Sequence, residues 1–150
     1  MTQSPRQPQS PPRRLLAVDP GERRTGVAIS DELGLYAHTR PAIVTRSAAE
    51  AVEAIARLAE AEGVGELIVG LPISLSGADS AQTASVRETV AKLRARLTIP
   101  VTEWDERLSS VEAARTVTGA SRRRSGELDS AAAAVVLQAV LDSRRGGVRQ

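Results

Sequence analysis

The sequence predicts an α/β domain on a mixed five-stranded sheet flanked by helices, and three observations support this. Short apolar runs and longer amphipathic ones follow the order strand, strand, strand, helix, strand, helix, strand, helix, helix. The first three runs are joined closely enough for an antiparallel meander. The 150 residues, 41% hydrophobic and 25% charged, are ordinary for one domain with its own core.

The first strand is the apolar run Arg14-Leu15-Leu16-Ala17-Val18, which ends at the turn signal Asp19-Pro20-Gly21. Thr25 to Ser30 makes the second strand of a hairpin, and a third lies near Tyr36–Val44. Ser47 to Glu62 reads as a helix with Ala48, Val52, Ile55 and Ala59 on one face. Gly63-Val64-Gly65 ends it, and Glu66-Leu67-Ile68-Val69-Gly70 has the continuous apolarity of a buried parallel strand. After a loop at Leu71–Ser74, a helix from about Asp79 to Leu97 presents Val86, Val90, Leu93 and Leu97 at helical spacing. Thr98–Trp104 is the fifth strand, with Pro100 tolerated near its start. Ser109-Ser110-Val111-Glu112 has capping-box spacing and predicts a short helix, followed by a polar, arginine-rich loop over Gly119–Gly126. The last helix, about Glu127 to Ser143, is apolar on most sides (Leu128, Ala132, Val135, Val136, Ala139, Val140) and should pack deeply.

Residues 1–13 read as a disordered tail without the apolar stretch of a signal peptide, 14–145 as the domain, and 146–150 as a flexible end. No apolar run reaches the ~18–20 residues of a membrane span, and no targeting signal is visible, so a cytoplasmic protein is expected. There is no cysteine and a single histidine, His38. This excludes thiolate zinc sites and a cysteine nucleophile, and any metal would be held by oxygen, favouring magnesium or manganese. Residues 15–121 carry 11 basic and 15 acidic side chains, whereas the ends and the Arg122–Arg124 cluster carry 9 basic and 3 acidic. Basic segments outside an acidic body suit a polyanion, although arginine-rich composition alone also produces them. Tyr36 and Trp104 are the only aromatic residues, so stacking platforms for bases are absent and phosphate contacts would dominate nucleic-acid binding.

Three acidic positions stand at element ends. Asp19 closes the first strand, Asp105-Glu106 closes the fifth, and Asp129 lies in the first turn of the last helix. Carboxylates at the ends of neighbouring strands converge, and a helix crossing the sheet can add a third, giving a cluster that could hold two divalent ions. Each also has a plain role, in turn chemistry, an exposed loop or dipole matching, and periodicity alone does not bring them together. Gly63-Val64-Gly65 precedes a strand and is no dinucleotide fingerprint. No Walker A motif is present, and Ser109 and Ser110, lacking a nearby histidine, read as a helix cap rather than nucleophiles. Gly70 before Leu71-Pro72 either shapes a turn or admits a substrate backbone.

The segments Leu16-Ala17-Val18-Asp19-Pro20-Gly21 with Thr25-Gly26-Val27-Ala28, Ile68-Val69-Gly70-Leu71-Pro72, Asp105-Glu106-Arg107-Leu108-Ser109-Ser110 and Leu128-Asp129-Ser130-Ala131-Ala132 occur in this order. Together they resemble the YqgF family, also called RuvX, of Holliday-junction-resolvase-like proteins, over nearly the whole chain after the tail. The resemblance implies an RNase H-like fold and a nuclease. Asp19, Glu106 and Asp129 match its catalytic and metal-binding acids, which would hold one or two Mg2+ or Mn2+ ions that polarise the phosphate and generate the attacking hydroxide. Asp105 would support them. Where relatives often place lysine before the last aspartate, this chain has Glu127. Arg23, Arg24, Arg107, Arg122, Arg123 and Arg124 are then the candidate nucleic-acid contacts.

The expected function is metal-dependent phosphodiester hydrolysis, processing the 5′ end of precursor 16S rRNA. The alternative is a Holliday junction resolvase or another structure-specific DNA nuclease, expected to act as a two-fold homodimer. Two rival readings stand beside it. The Asp19 hairpin also resembles the first phosphate loop of actin-like ATPases and sugar kinases, but that class needs a second such domain. A non-catalytic nucleic-acid adaptor is disfavoured because clustered carboxylates repel phosphate unless a metal intervenes.

Overall fold

The computed structural model describes residues 13–74, 76, 80–111 and 130–146. Five strands carry the fold: β1 (Leu15–Pro20), β2 (Arg24–Ser30), β3 (Ala37–Val44), β4 (Glu66–Leu71) and β5 (Val101–Asp105). They form one sheet in the order β3-β2-β1-β4-β5. The β1–β2 and β2–β3 pairs are antiparallel, whereas β4 runs parallel to both β1 and β5. The expected mixed sheet with an antiparallel meander is therefore present. Three helices flank it: α1 (Ala48–Glu62), α2 (Ala81–Arg96) and α3 (Ala131–Gly146). None is long and apolar enough to cross a membrane among the described residues.

Helix boundaries follow local chemistry. Ser47 caps α1 by accepting from the Glu50 N–H, and Gly63 ends it in the left-handed region at φ 63°. Ser80 caps α2 in the same way through Thr83 N–H. Alternation along each strand sorts side chains between two cores. Leu16, Val18, Leu67, Val69 and Val101 pack with α1 and α2 on one face. Ala17, Ala28 and Ile68 pack under α3 on the other.

Several sequence expectations shift. Ala48 is exposed, because it sits at the first turn of α1, and Ala56 takes a place in the buried stripe. On α3 the most buried residues are Ala132, Ala133, Val136, Leu137, Val140 and Leu141, while Val135 and Ala139 are only half-buried. A helix apolar on most sides gives no clear phase to read. Strand β5 begins at Val101 rather than Thr98. An unforeseen 3-10 turn, Glu106–Leu108, follows it. The tail, the Gly119–Gly126 loop, the start of the last helix at Glu127 and most of the helix expected after Ser109 lie outside the described residues.

Candidate active site

Because β1, β4 and β5 are mutually parallel, their carboxyl ends share one edge of the sheet. That edge carries Asp19 on β1, Gly70-Leu71 on β4 and Asp105-Glu106 at the end of β5. Asp19 is two residues beyond Ala17, which packs under α3, and strand alternation puts it on that same face. Ile68 belongs to the α3 core as well, so Gly70 follows it onto this face by the same spacing, and Glu106, beyond the end of β5, reaches the face through its contact at Gly70.

Glu106 is buried, 7% exposed, an unusual position for a carboxylate at a strand end. Its side chain folds back over β4. A Cβ placed on Gly70 would lie 3.0 Å from Glu106 Oε1, 3.5 Å from Glu106 Cγ and 3.4 Å from Val136 Cγ2 of α3. Gly70 is thus the floor under the Glu106 carboxylate, since any larger residue would push that carboxylate away. To the two roles the sequence leaves open for this glycine the structure adds a third, room for a carboxylate arriving from the neighbouring strand.

Asp105 is committed differently. Its carboxylate accepts from the Arg107 backbone N–H at 2.9 Å and pairs with the Arg107 guanidinium at 2.7 Å. The guanidinium bonds hold the Asp105 carboxyl below the usual aspartate range and raise Arg107 correspondingly. Asp105 therefore caps and steadies the 3-10 turn that carries Glu106. Ser109 closes that turn, its hydroxyl donating to the Glu106 carbonyl at 3.0 Å.

Ser130 is the residue that sequence reasoning passed over. It is fully buried, and its hydroxyl accepts from Val27 N–H at 2.9 Å and donates to the Arg40 carbonyl at 2.6 Å. Val27 and Arg40 face each other across β2 and β3 beside an irregularity in the register between Thr25 and Val27. The hydroxyl fills the place of a ladder hydrogen bond there. It also ties the start of α3 to the neighbourhood of Gly26, the antiparallel partner of Asp19. A serine before an apolar helix was a visible capping signal, but its partners are far away in the chain.

Among the described residues no three of His, Cys, Asp and Glu form a metal-holding group. Asp129, the third acid of the sequence reading, lies outside them, as do Arg122, Arg123 and Arg124. The structure thus brings Asp19 and Glu106 to one edge and face. Arg23 and Arg24 are exposed at the start of β2 on the same edge, and Arg107 is held by Asp105. His38 is exposed on β3, so the donors at this edge are carboxylate oxygens, a set that fits magnesium or manganese.

Comparison with known proteins bears on the family and the fold. A family described as RuvX, Holliday junction resolvase, matches residues 13–143. A protein of Koribacter versatilis, provisionally named a pre-16S rRNA nuclease, is 38% identical over 87% of this chain and 88% of its own length. A similarly named protein of Halothermothrix orenii is 38% identical over 86% of this chain and 94% of its own. Among solved structures, Thermus thermophilus RuvC in complex with a Holliday junction substrate superimposes with a TM-score of 0.59 at 14% identity, over 89% of this chain and 96% of that one. The fold is accordingly RNase H-like, as the sequence resemblance implied.

Proposed function

Because this chain belongs to the RuvX family, we propose that it is a divalent-metal-dependent nuclease that processes the 5′ end of precursor 16S rRNA. The single observation carrying the chemistry is the placement of Asp19 and buried Glu106 on one face at the carboxyl edge of three parallel strands, with Gly70 clearing space for the Glu106 carboxylate. The RNA substrate comes from the names of the relatives.

Asp19, Glu106 and Asp129 are the residues that would hold one or two Mg2+ or Mn2+ ions. Asp129 precedes Ser130 in the sequence, and the Ser130 side chain is anchored beside the Asp19–Gly26 pair, which supports assigning the third acid to this site. When bound, such ions supply charge neutralisation at the phosphate and acidify the attacking water. The chain's own residues supply placement. Asp105 and Arg107 hold the turn bearing Glu106, Gly70 admits its carboxylate, and Ser130 fixes the approach of α3. Arg23, Arg24 and the Arg122–Arg124 cluster are the cations available to the nucleic-acid backbone. This reading places the protein in the cytoplasm with precursor rRNA.

The second reading, a junction resolvase acting as a homodimer, draws on the family description. One experiment separates them. The purified protein is given a labelled precursor 16S 5′ leader or a synthetic four-way DNA junction, with Mg2+ or Mn2+. Cleavage of the leader by wild type and its loss in Asp19→Asn support the proposal. Cleavage of the junction alone transfers the assignment to the resolvase, and cleavage of neither leaves a binding adaptor. Trp104, the sole tryptophan, lies two residues before Glu106, so quenching of its fluorescence by Mn2+ reports ion binding independently of turnover.

A further inference from the structure

The antiparallel pairing of β1 with β2 and of β2 with β3 brings the start of β2 and the end of β3 to the same edge as Asp19. Pro20 faces Thr25, and Arg24 faces Val44. Beyond these pairs the Thr45 N–H donates to the Arg23 carbonyl at 2.9 Å, which holds Arg23 against the segment that runs into α1. A cleft of about 570 Å3 opens there, lined by Arg23, Val44, Thr45, Arg46 and Glu50.

The charges of this cleft are unbalanced. Arg23 and Arg46 are both exposed, and neither guanidinium enters an ion pair among the described residues. The one carboxylate in the lining, Glu50, has its own task, since it accepts from the Arg46 backbone N–H at 2.9 Å while the Glu50 N–H donates to Ser47 Oγ at 3.1 Å. That reciprocal arrangement fixes the backbone that carries Arg46. Most other arginines of the described residues are otherwise occupied. Arg96 bridges Glu53 and Glu60, Arg144 is held by Glu66, and Arg107 by Asp105. Val44, 65% exposed, adds an apolar wall beside the two cations.

We propose that this cleft is a phosphodiester-binding subsite, in which Arg46 and Arg23 grip the nucleic-acid backbone away from the bond that is cut. Strand β3 lies two strands from β1, about 10 Å at ~4.8 Å per strand. That span corresponds to about three nucleotides at the ~3.4 Å rise of one strand of a duplex. A paired, backbone-anchored set of guanidinium groups suits phosphate oxygens and reads no base, so the subsite sets register and affinity. The inference rests on the nuclease reading above, and it adds Arg46, which no sequence motif marked.

The test is a binding measurement. Anisotropy of a labelled precursor 16S 5′ leader, with Ca2+ replacing Mg2+, is followed over a range of salt for wild type, Arg23→Ala, Arg46→Ala, the double variant and Arg46→Lys. Arg57→Ala, on the exposed side of α1, serves as a control. Each lost phosphate contact is expected to lower the slope of log K against log salt by about 0.7 and the affinity about fivefold at 0.1 M salt. Arg46→Lys should keep the slope, and Arg57→Ala should keep both slope and affinity. An equal loss on a four-way DNA junction would show that the shared phosphodiester, rather than RNA, is recognised. Wild-type affinity and slope in the double variant overturn the subsite while leaving the nuclease reading intact. Lost binding in variants of a protein that cleaves nothing keeps the subsite and removes the nuclease. A wild-type protein that binds neither nucleic acid overturns both.

Discussion

Replacing Gly70 by alanine probes the site through its floor. The added Cβ would stand 3.0 Å from Glu106 Oε1, and Val136 Cγ2 at 3.4 Å leaves no slack on the α3 side. Ordinary contact needs about 3.4 Å, so the Glu106 carboxylate must retreat by ~0.4 Å. A misplacement of ~1 Å at a reacting centre costs about 100-fold, which scales to a loss of about five- to tenfold in kcat here. Overpacking costs ~1–3 kcal/mol, offset by ~0.4–1 kcal/mol from the restricted unfolded chain. The melting temperature should therefore fall by no more than about 8 °C. The assay combines kcat on the RNA leader at saturating Mn2+, Mn2+ affinity by calorimetry, and thermal unfolding. Reduced kcat and weaker Mn2+ binding in a folded protein are expected. A lower melting temperature with wild-type kcat and Mn2+ affinity would show that the Gly70–Glu106 contact is packing alone, and the reasoning would fail.

Other consequences follow from particular bonds. Ser130→Ala leaves the buried Val27 N–H without its acceptor and the Arg40 carbonyl without its donor, at a cost of about 1–3 kcal/mol, so unfolding should occur several degrees lower; an unchanged midpoint would refute the bridging role. Glu53, hydrogen-bonded first to Arg96 and then to Arg57, has its carboxyl lowered from an ordinary 4.5 to about 2. A depressed carboxylate stabilises the fold above its unfolded value and loses that contribution as pH falls. The difference in melting temperature between wild type and Glu53→Gln should thus be present near pH 6 and close between about pH 4.5 and 2; a constant difference would contradict the pairing. Mn2+ should quench Trp104 fluorescence saturably in the wild type, with a much weaker response in Glu106→Gln; equal quenching in both would place the ion elsewhere.

Much of this architecture was legible along the chain, because apolar run length and spacing report directly on burial. Val86, Val90, Leu93 and Leu97 lie buried where their helical spacing put them, and Glu66–Gly70 is the parallel strand its continuous apolarity implied. Asp19 and Glu106 were visible as element ends, and the parallel sheet explains why such ends share one edge. Relations between distant segments were not legible. Ser130 acts on Val27, 103 residues away, and no local pattern encodes that bond. Gly70 was readable only as a turn shaper or a point of substrate approach, because the carboxylate that needs its space arrives from the end of β5. Asp105 and Glu106 are adjacent with the same charge, yet one caps a turn with Arg107 and the other is buried over β4. Arg46 sits among ordinary helix-start residues, and only the pairing of β2 with β3 brings it beside Arg23.

The central claim is that Asp19 and Glu106 belong to one metal-dependent hydrolytic site acting on precursor 16S rRNA. Its most direct test is the cleavage rate of the 5′ leader with Mn2+ in wild type, Asp19→Asn, Glu106→Gln and the double variant. One shared site predicts that each single substitution lowers the rate by at least about 1,000-fold and that the double variant is hardly slower than either, because groups acting as a unit are strongly non-additive. Rates that multiply across the two substitutions, or cleavage that persists in both singles with the fold intact, would contradict it.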